Sequence, residues 1–239
     1  EISVEEKATG EIMAGAGTGS DGASFQFSIK ENNWLGRGYS IDTSFNISKE
    51  KITGGISLVN PNYNFTGNEL FSSINVSSTD RSDTTGFKSQ NTGFSLGTNF
   101  EQYEDLFFAP SLNLTYEEIT SESDASSNIR KMEGNYLNSD FSYGITLDKR
   151  NQAFQTSDGY WVRFNQSLPL LQDTSSIGNN LDIITFHEIN DDMVGKIKYH
   201  AKSIHGIDDN VRLTNRLYIP RNKLRGFVKG RVGPKDGAD

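Results

Sequence analysis

Apolar and polar residues alternate with a period of two along most of this chain. In residues 23–30, Ala23, Phe25, Phe27 and Ile29 share one face against Ser24, Gln26, Ser28 and Lys30. In 39–48, Tyr39, Ile41, Thr43, Phe45 and Ile47 oppose Ser40, Asp42, Ser44, Asn46 and Ser48. The same pattern recurs in 70–77, 106–116, 137–147, 160–168 and 195–203. Successive side chains of a β-strand point to opposite faces, so each run predicts a strand with one apolar face. Further strands are predicted at about 9–18, 51–59, 87–99 and 180–189, making about eleven.

Short connections such as Lys49-Glu50 and Asn190-Asp191 alternate with long polar ones at 119–134 and 205–223. That alternation predicts an up-and-down membrane barrel with tight turns on one side. A β-sandwich gives the same alternation of faces. Two features favour the barrel. The runs exceed the ~5–6 residues usual for strands of soluble proteins. Aromatics also gather near their ends: Trp34, Tyr39, Tyr63, Phe65, Phe107, Phe108, Tyr160 and Trp161. Such placement suits an aromatic girdle at a membrane interface. The fold class expected is therefore all-β, an antiparallel transmembrane β-barrel.

Composition narrows the picture. Hydrophobic residues make up 34% of the 239, and no stretch approaches the ~20 apolar residues of a spanning helix. A barrel strand needs only ~9–11 residues with one apolar face, so this composition is compatible with it. There are 0 cysteines, which removes disulfides and zinc–thiolate sites. The net charge of −8 disfavours a broad nucleic-acid surface. Ile2 to Lys7 reads as a short strand finishing a preceding soluble domain, followed by a break at Ala8-Thr9-Gly10.

Few residues suggest chemistry. Gly15, Gly17, Gly19 and Gly22 precede a strand pattern rather than a helix, and no Lys-Ser/Thr follows, so a phosphate loop is not supported. His187, His200 and His205 form no metal-spaced cluster. The N-x-S/T triplets at Asn46, Asn75, Asn113 and Asn165 fall inside predicted strands; Asn64 begins a fifth. No nucleophile–base arrangement stands out, and neither an enzyme reaction nor a cofactor is expected.

Two kinds of segment are more specific. Asn32-Asn33-Trp34-Leu35-Gly36-Arg37-Gly38 joins the second and third strands with two turn residues, an aromatic–aliphatic pair and two glycines. Near the end, a long polar connection carries Leu224-Arg225-Gly226-Phe227, an arginine in an apolar–Gly–aromatic setting. At these residues the chain resembles the BamA-type outer-membrane protein assembly factors, the bacterial surface-antigen family. Four places carry the resemblance: residues 4–43; ISLVNPNYN (56–64), similar to a fourth strand with an Asn-Pro turn; DKRNQAFQTSDGYWVRF (148–164); and LRGF (224–227).

The resemblance implies a sixteen-stranded barrel preceded by periplasmic POTRA domains. Residues 1–7 would end a POTRA domain. Residues 8–239 would form an incomplete, N-terminal portion of the barrel, about eleven strands ending in the long sixth extracellular loop. It implies that Arg225 meets a carboxylate from a later strand inside the lumen, beyond Asp239. It further implies that the first strand, with Gly10, Gly15 and Gly17, forms a weak lateral seam with the last. The implied partners are nascent outer-membrane proteins, accessory assembly lipoproteins and outer-membrane lipids. The alternatives are a two-partner secretion or autotransporter-assembly transporter of the same family, a diffusion porin, or a secreted β-sandwich binding domain.

Overall fold

A computed structural model describes residues 7–19, 22–82, 86–172, 175–207, 211–212, 215–217 and 226. It contains eleven strands: β1 Gly10–Gly19, β2 Gly22–Trp34, β3 Tyr39–Ser48, β4 Lys51–Tyr63, β5 Asn68–Arg81, β6 Phe87–Tyr103, β7 Leu106–Ser121, β8 Gly134–Asp148, β9 Gly159–Leu171, β10 Ser176–Asn190 and β11 Met193–Gly206. They form one sheet in strict sequence order. Every neighbouring pair is antiparallel. One continuous sheet excludes the two-layer sandwich, and each predicted strand lies almost wholly within an observed one. The strand ending before residue 8 falls on residues 1–6, outside the described residues.

The register carries the period of two across the whole sheet. Ile12, Ile29, Thr43, Ile56, Ile74, Phe94 and Leu114 face one another in succession across seven strands. This face is apolar yet open: Ile74 is 54% exposed and Leu112 53%. So large an exposed apolar face has hydrocarbon as its natural solvent. Rings reinforce it, with Phe100 packed edge-on to Phe108 at 5.8 Å and Phe108 at 6.1 Å from Tyr143. The opposite row reads Gly15, Gln26, Asn46, Thr53, Ser77, Asn91, Glu117 and Tyr136. It is a wet, lumen-type face.

The two ends of the sheet differ, although not as the alternation of connection lengths predicts. One end carries turns at 35–38, 64–67, 104–105 and 191–192, and also the ten-residue connection 149–158. The other carries 122–133 and the segment after Gly206, but also the two-residue turn 49–50. Lys49-Glu50 therefore sits with the long connections. The eight end-placed aromatics named from the sequence do gather at the first end, where three bulges turn strand ends onto the apolar face. Register shifts occur between Glu31 and Trp34, Asn60 and Tyr63, and Glu101 and Tyr103. Each bulge reverses the phase of its strand end. Trp34 then faces Tyr39, Tyr63 faces Asn68, and Tyr103 faces Leu106, all in apolar-face register. The expected Asn-Pro turn is also corrected here. Pro61 lies within β4 beside its bulge, where a missing N–H is tolerated, and the turn follows at 64–67.

The buried apolar residues among those described are few: Ile119, Ala125 and Ile129. Ile119 is on the polar face of β7; Ala125 and Ile129 come from the β7–β8 connection. That connection holds one helical turn, α1 (Ser127–Arg130), whose first turn is capped by Ser126. It packs on Gly86, where an added Cβ would stand 2.8 Å from the Ala125 Cβ. The predicted polar loop at 119–134 is thus a folded lid over the end of the lumen face, with Ile119 to Ser121 still in strand β7.

Glycine also marks a close contact between strands β6 and β7. A Cβ at Gly97 would lie 2.7 Å from both the Pro110 carbonyl oxygen and the Ser111 Cβ, whereas at Gly93 the nearest atom is 3.7 Å away. In the complete polypeptide reconstituted in vesicles, Gly97→Ala should cost about 2 kcal/mol through overpacking. Gly93→Ala should be close to neutral. Denaturant midpoints for the two variants check this, and equal midpoints would refute it.

Candidate functional site

Three features of the sequence were candidates for function: the first strand, the hairpin after β2 and the long final connection. β1 pairs with β2 over ten positions, from Gly10↔Glu31 to Gly19↔Gly22, without a bulge. Its other edge takes no strand among the described residues. Gly15 and Gly17 lie on the polar face, opposite Gln26 and Ser24. Neither is demanded by crowding. A Cβ at Gly15 would meet nothing within 4 Å, and at Gly17 only the Ser24 hydroxyl at 3.7 Å. These glycines leave the face bare; they do not relieve a clash. Gly10 differs, because a Cβ there would lie 3.0 Å from the Glu31 carboxylate. Just before it, the Thr9 carbonyl accepts hydrogen bonds from the Asn32 backbone N–H and side-chain amide, tying the strand's start to β2.

The hairpin motif proves to be one of a pair. In the first turn the Asn33 side-chain oxygen accepts from the Gly38 N–H at 2.7 Å, and Leu35, Gly36 and Gly38 have positive φ. In the second the Asn62 side-chain oxygen accepts from the Gly67 N–H at 2.8 Å, and Asn64, Phe65 and Gly67 have positive φ. Both therefore share the pattern Asn–aromatic–x–x–x–Gly, with Trp34 and Tyr63 as the aromatics. That spacing was present in the sequence and could have revealed the second turn. The segment 148–164 is ordered in its own way. Arg150 pairs with Asp148 at 2.6 Å, and the Asn151 side-chain oxygen accepts from the Ser157 and Asp158 N–H groups. Lys149 bridges to Asp105 at 2.8 Å, and that contact raises the pKa of its ammonium.

Of the loop signature, Leu224, Arg225 and Phe227 lie outside the described residues. Gly226 is described: it is exposed, with φ of +86°, a left-handed conformation that suits glycine. A different arginine of the same connection is the one seen engaged. The Arg212 Nη1 lies 3.1 Å from the Glu117 Oε2, and its guanidinium stands 3.8 Å from the centre of the Tyr136 ring. The two side chains of the ion pair are 4% and 7% exposed. Glu117 and Tyr136 face each other across β7 and β8 on the polar face. The connection leaving β11 thus reaches back over the lumen face and is pinned four strands away. Sequence reasoning missed this contact, because nothing local links residues 95 positions apart.

Elsewhere on this face His200 and Asp182 form a close pair at 2.5 Å, but no group of three potential metal ligands occurs among the described residues.

A family model described as the Omp85 superfamily domain matches residues 33–239. The chain belongs to the Omp85 superfamily. Among curated proteins it is 25% identical over 257 residues to the outer membrane protein assembly factor BamA of Neorickettsia risticii (strain Illinois), covering 99% of this chain and 32% of that protein. Among solved structures it resembles BamA from Haemophilus ducreyi lacking POTRA domains 1–3, with a TM-score of 0.82 at 19% identity over 96% of this chain and 48% of that one. The chain therefore spans about a third of the curated relative and about half of the solved one. This Omp85 chain is a portion of a BamA-type barrel, and its place is the outer membrane. Superfamily membership sets the diffusion porin aside.

The Arg212 contact gives a direct test in the complete protein. Removing one partner of a buried ion pair strands the other charge. Glu117→Gln should weaken docking of the connection by about 3 kcal/mol, read as faster proteolysis after residue 207. Adding Arg212→Met should not accelerate cleavage further. Additive effects would show that the two residues act separately.

Proposed function

We propose that the polypeptide to which this chain belongs is an outer-membrane protein assembly factor that inserts client β-barrels through a lateral seam at β1. The role is mechanical rather than catalytic. The observation that carries it is the make-up of β1: a strand paired with β2 over ten positions without a bulge, with no side chain at Gly15 or Gly17 on its polar face. An open strand edge presents a row of N–H and C=O groups that another strand can take up by β-augmentation. The named relative is an assembly factor, which supports the same reading. Clients would be nascent outer-membrane proteins, working with accessory lipoproteins and the surrounding lipid.

In this reading the final connection stays inside the barrel, held by Arg212 at its start and by Arg225 further on. Arg225 would pair with a carboxylate of a later strand, a charge-assisted contact strengthened by a shielded lumen. The end of a preceding POTRA domain at residues 1–7 belongs to the same proposal.

Gly15 offers the lock for a test, since a side chain there meets no neighbour. A disulfide from Gly15→Cys to a cysteine on the strand facing β1 in the full-length protein should stop client insertion and be relieved by reductant. Unchanged insertion of client porins would refute the seam. Arg225→Ala should reduce assembly and slow growth in a depletion strain, and wild-type growth would count against a docked signature.

A further inference from the structure

The paired hairpins of the turn end carry a feature that strand pairing does not require. Each puts one bulky apolar residue into a left-handed position, Leu35 at φ of 56° and Phe65 at φ of 58°. Turn sites of this kind favour Gly, Asn or Asp. Both side chains are also among the most exposed apolar ones, Leu35 at 74% and Phe65 at 94%. The tips stand about 10 Å apart, two strand spacings. Leu35 directly follows Trp34, and Phe65 stands two positions after Tyr63, both aromatics of the apolar face. The two-residue turns further from β1 are unlike them: Glu104-Asp105 and Asp191-Asp192 are acidic.

We propose that Leu35 and Phe65 form a two-pronged anchor that inserts into the phospholipid interface beside β1. The occupant is lipid because the exposed tips adjoin Trp34 and Tyr63, which end the lipid-facing surface of β2 and β4. Trp34 and Tyr63 already sit where amphipathic rings meet headgroups. Arg37, in the first tip, adds a cation suited to phosphate. The acidic tips would be repelled from an anionic headgroup layer. The membrane is therefore gripped at this end on the β1 side of the sheet and not under β6, β7, β10 and β11. This anchor does not depend on whether the seam opens.

The experiment uses the full-length protein in a cysteine-free background, for which this chain needs no change because it has 0 cysteines. Single cysteines at Leu35, Phe65 or Asp191 are labelled with a polarity-sensitive fluorophore. Each variant is reconstituted in phosphatidylethanolamine–phosphatidylglycerol vesicles, and heat-modifiable migration confirms folding. The expected result is blue-shifted emission at 35 and 65, quenched strongly by lipid carrying a nitroxide near the headgroup and weakly by aqueous iodide. The order should reverse at 191. Iodide quenching at 35 and 65 equal to that at 191 would place the tips in water and overturn the anchor. Protection from both quenchers would mean that protein covers the tips, and would overturn it equally. Should one labelled variant fail to fold, the other position decides.

Discussion

In hydrocarbon a backbone N–H or C=O has no water to turn to, and each one left unpaired costs several kcal/mol. The rest of this structure follows from that constraint. It makes every strand bond to its sequence neighbour, because tight antiparallel hairpins satisfy the backbone locally. It keeps the eleven strands in unbroken order. It also means that the outer edges of β1 and β11, which take no strand among the described residues, need partners in a complete barrel. An edge tolerable beside water is a demand for a partner beside lipid.

With the backbone satisfied by pairing, side chains are free to differ between faces. The apolar row from Ile12 to Leu114 meets lipid, while the row beginning at Gly15 ends at Glu117 and Tyr136. That second row joins the two features on which a function rests. At one end is Gly15, a position of β1 with no side chain; at the other is the buried ion pair holding the connection after β11. A charged pair so enclosed does little for stability compared with an apolar contact, but it fixes where a long segment lies. Glu117 and Tyr136 pair across β7 and β8, so the arginine meets an acceptor and a ring already set in place.

The strands were legible because lipid on one face and water on the other imposes the period of two with little exception. Phe25, Phe27 and Ile29 declare their face without help from the rest of the chain. The strand ends were not legible, because bulges at Trp34, Tyr63 and Tyr103 shift the phase where the pattern is being read. Pro61 was mistaken for a turn for the same reason. The lid was hidden because Ile119, Ala125 and Ile129 are scattered among polar residues, and their burial shows only in the folded chain, where Ala125 packs on Gly86. Of the candidate residues, Gly10, Gly15 and Gly17 lie in β1, and Asn33 accepts the Gly38 N–H in the turn after β2. Arg212 was overlooked because a lone arginine in a polar connection carries no local mark of its partner.

The composition of β1 bears on how a seam could serve many clients. Its polar face has Gly15 and Gly17, and its lipid face has Ala14 and Ala16 between Ile12 and Thr18. Cross-strand side-chain pairs normally give a sheet much of its register and partner preference. Here the middle of the strand has almost none to contribute toward its open edge. What remains is the hydrogen-bonding ladder, which is the same for every sequence. A strand that recognises by backbone alone can accept one partner and release it for another without a matching set of side chains. On the proposed function, the glycines and alanines of β1 serve as a surface kept deliberately unspecific, while the ten-position ladder to β2 keeps the strand itself from leaving with its client.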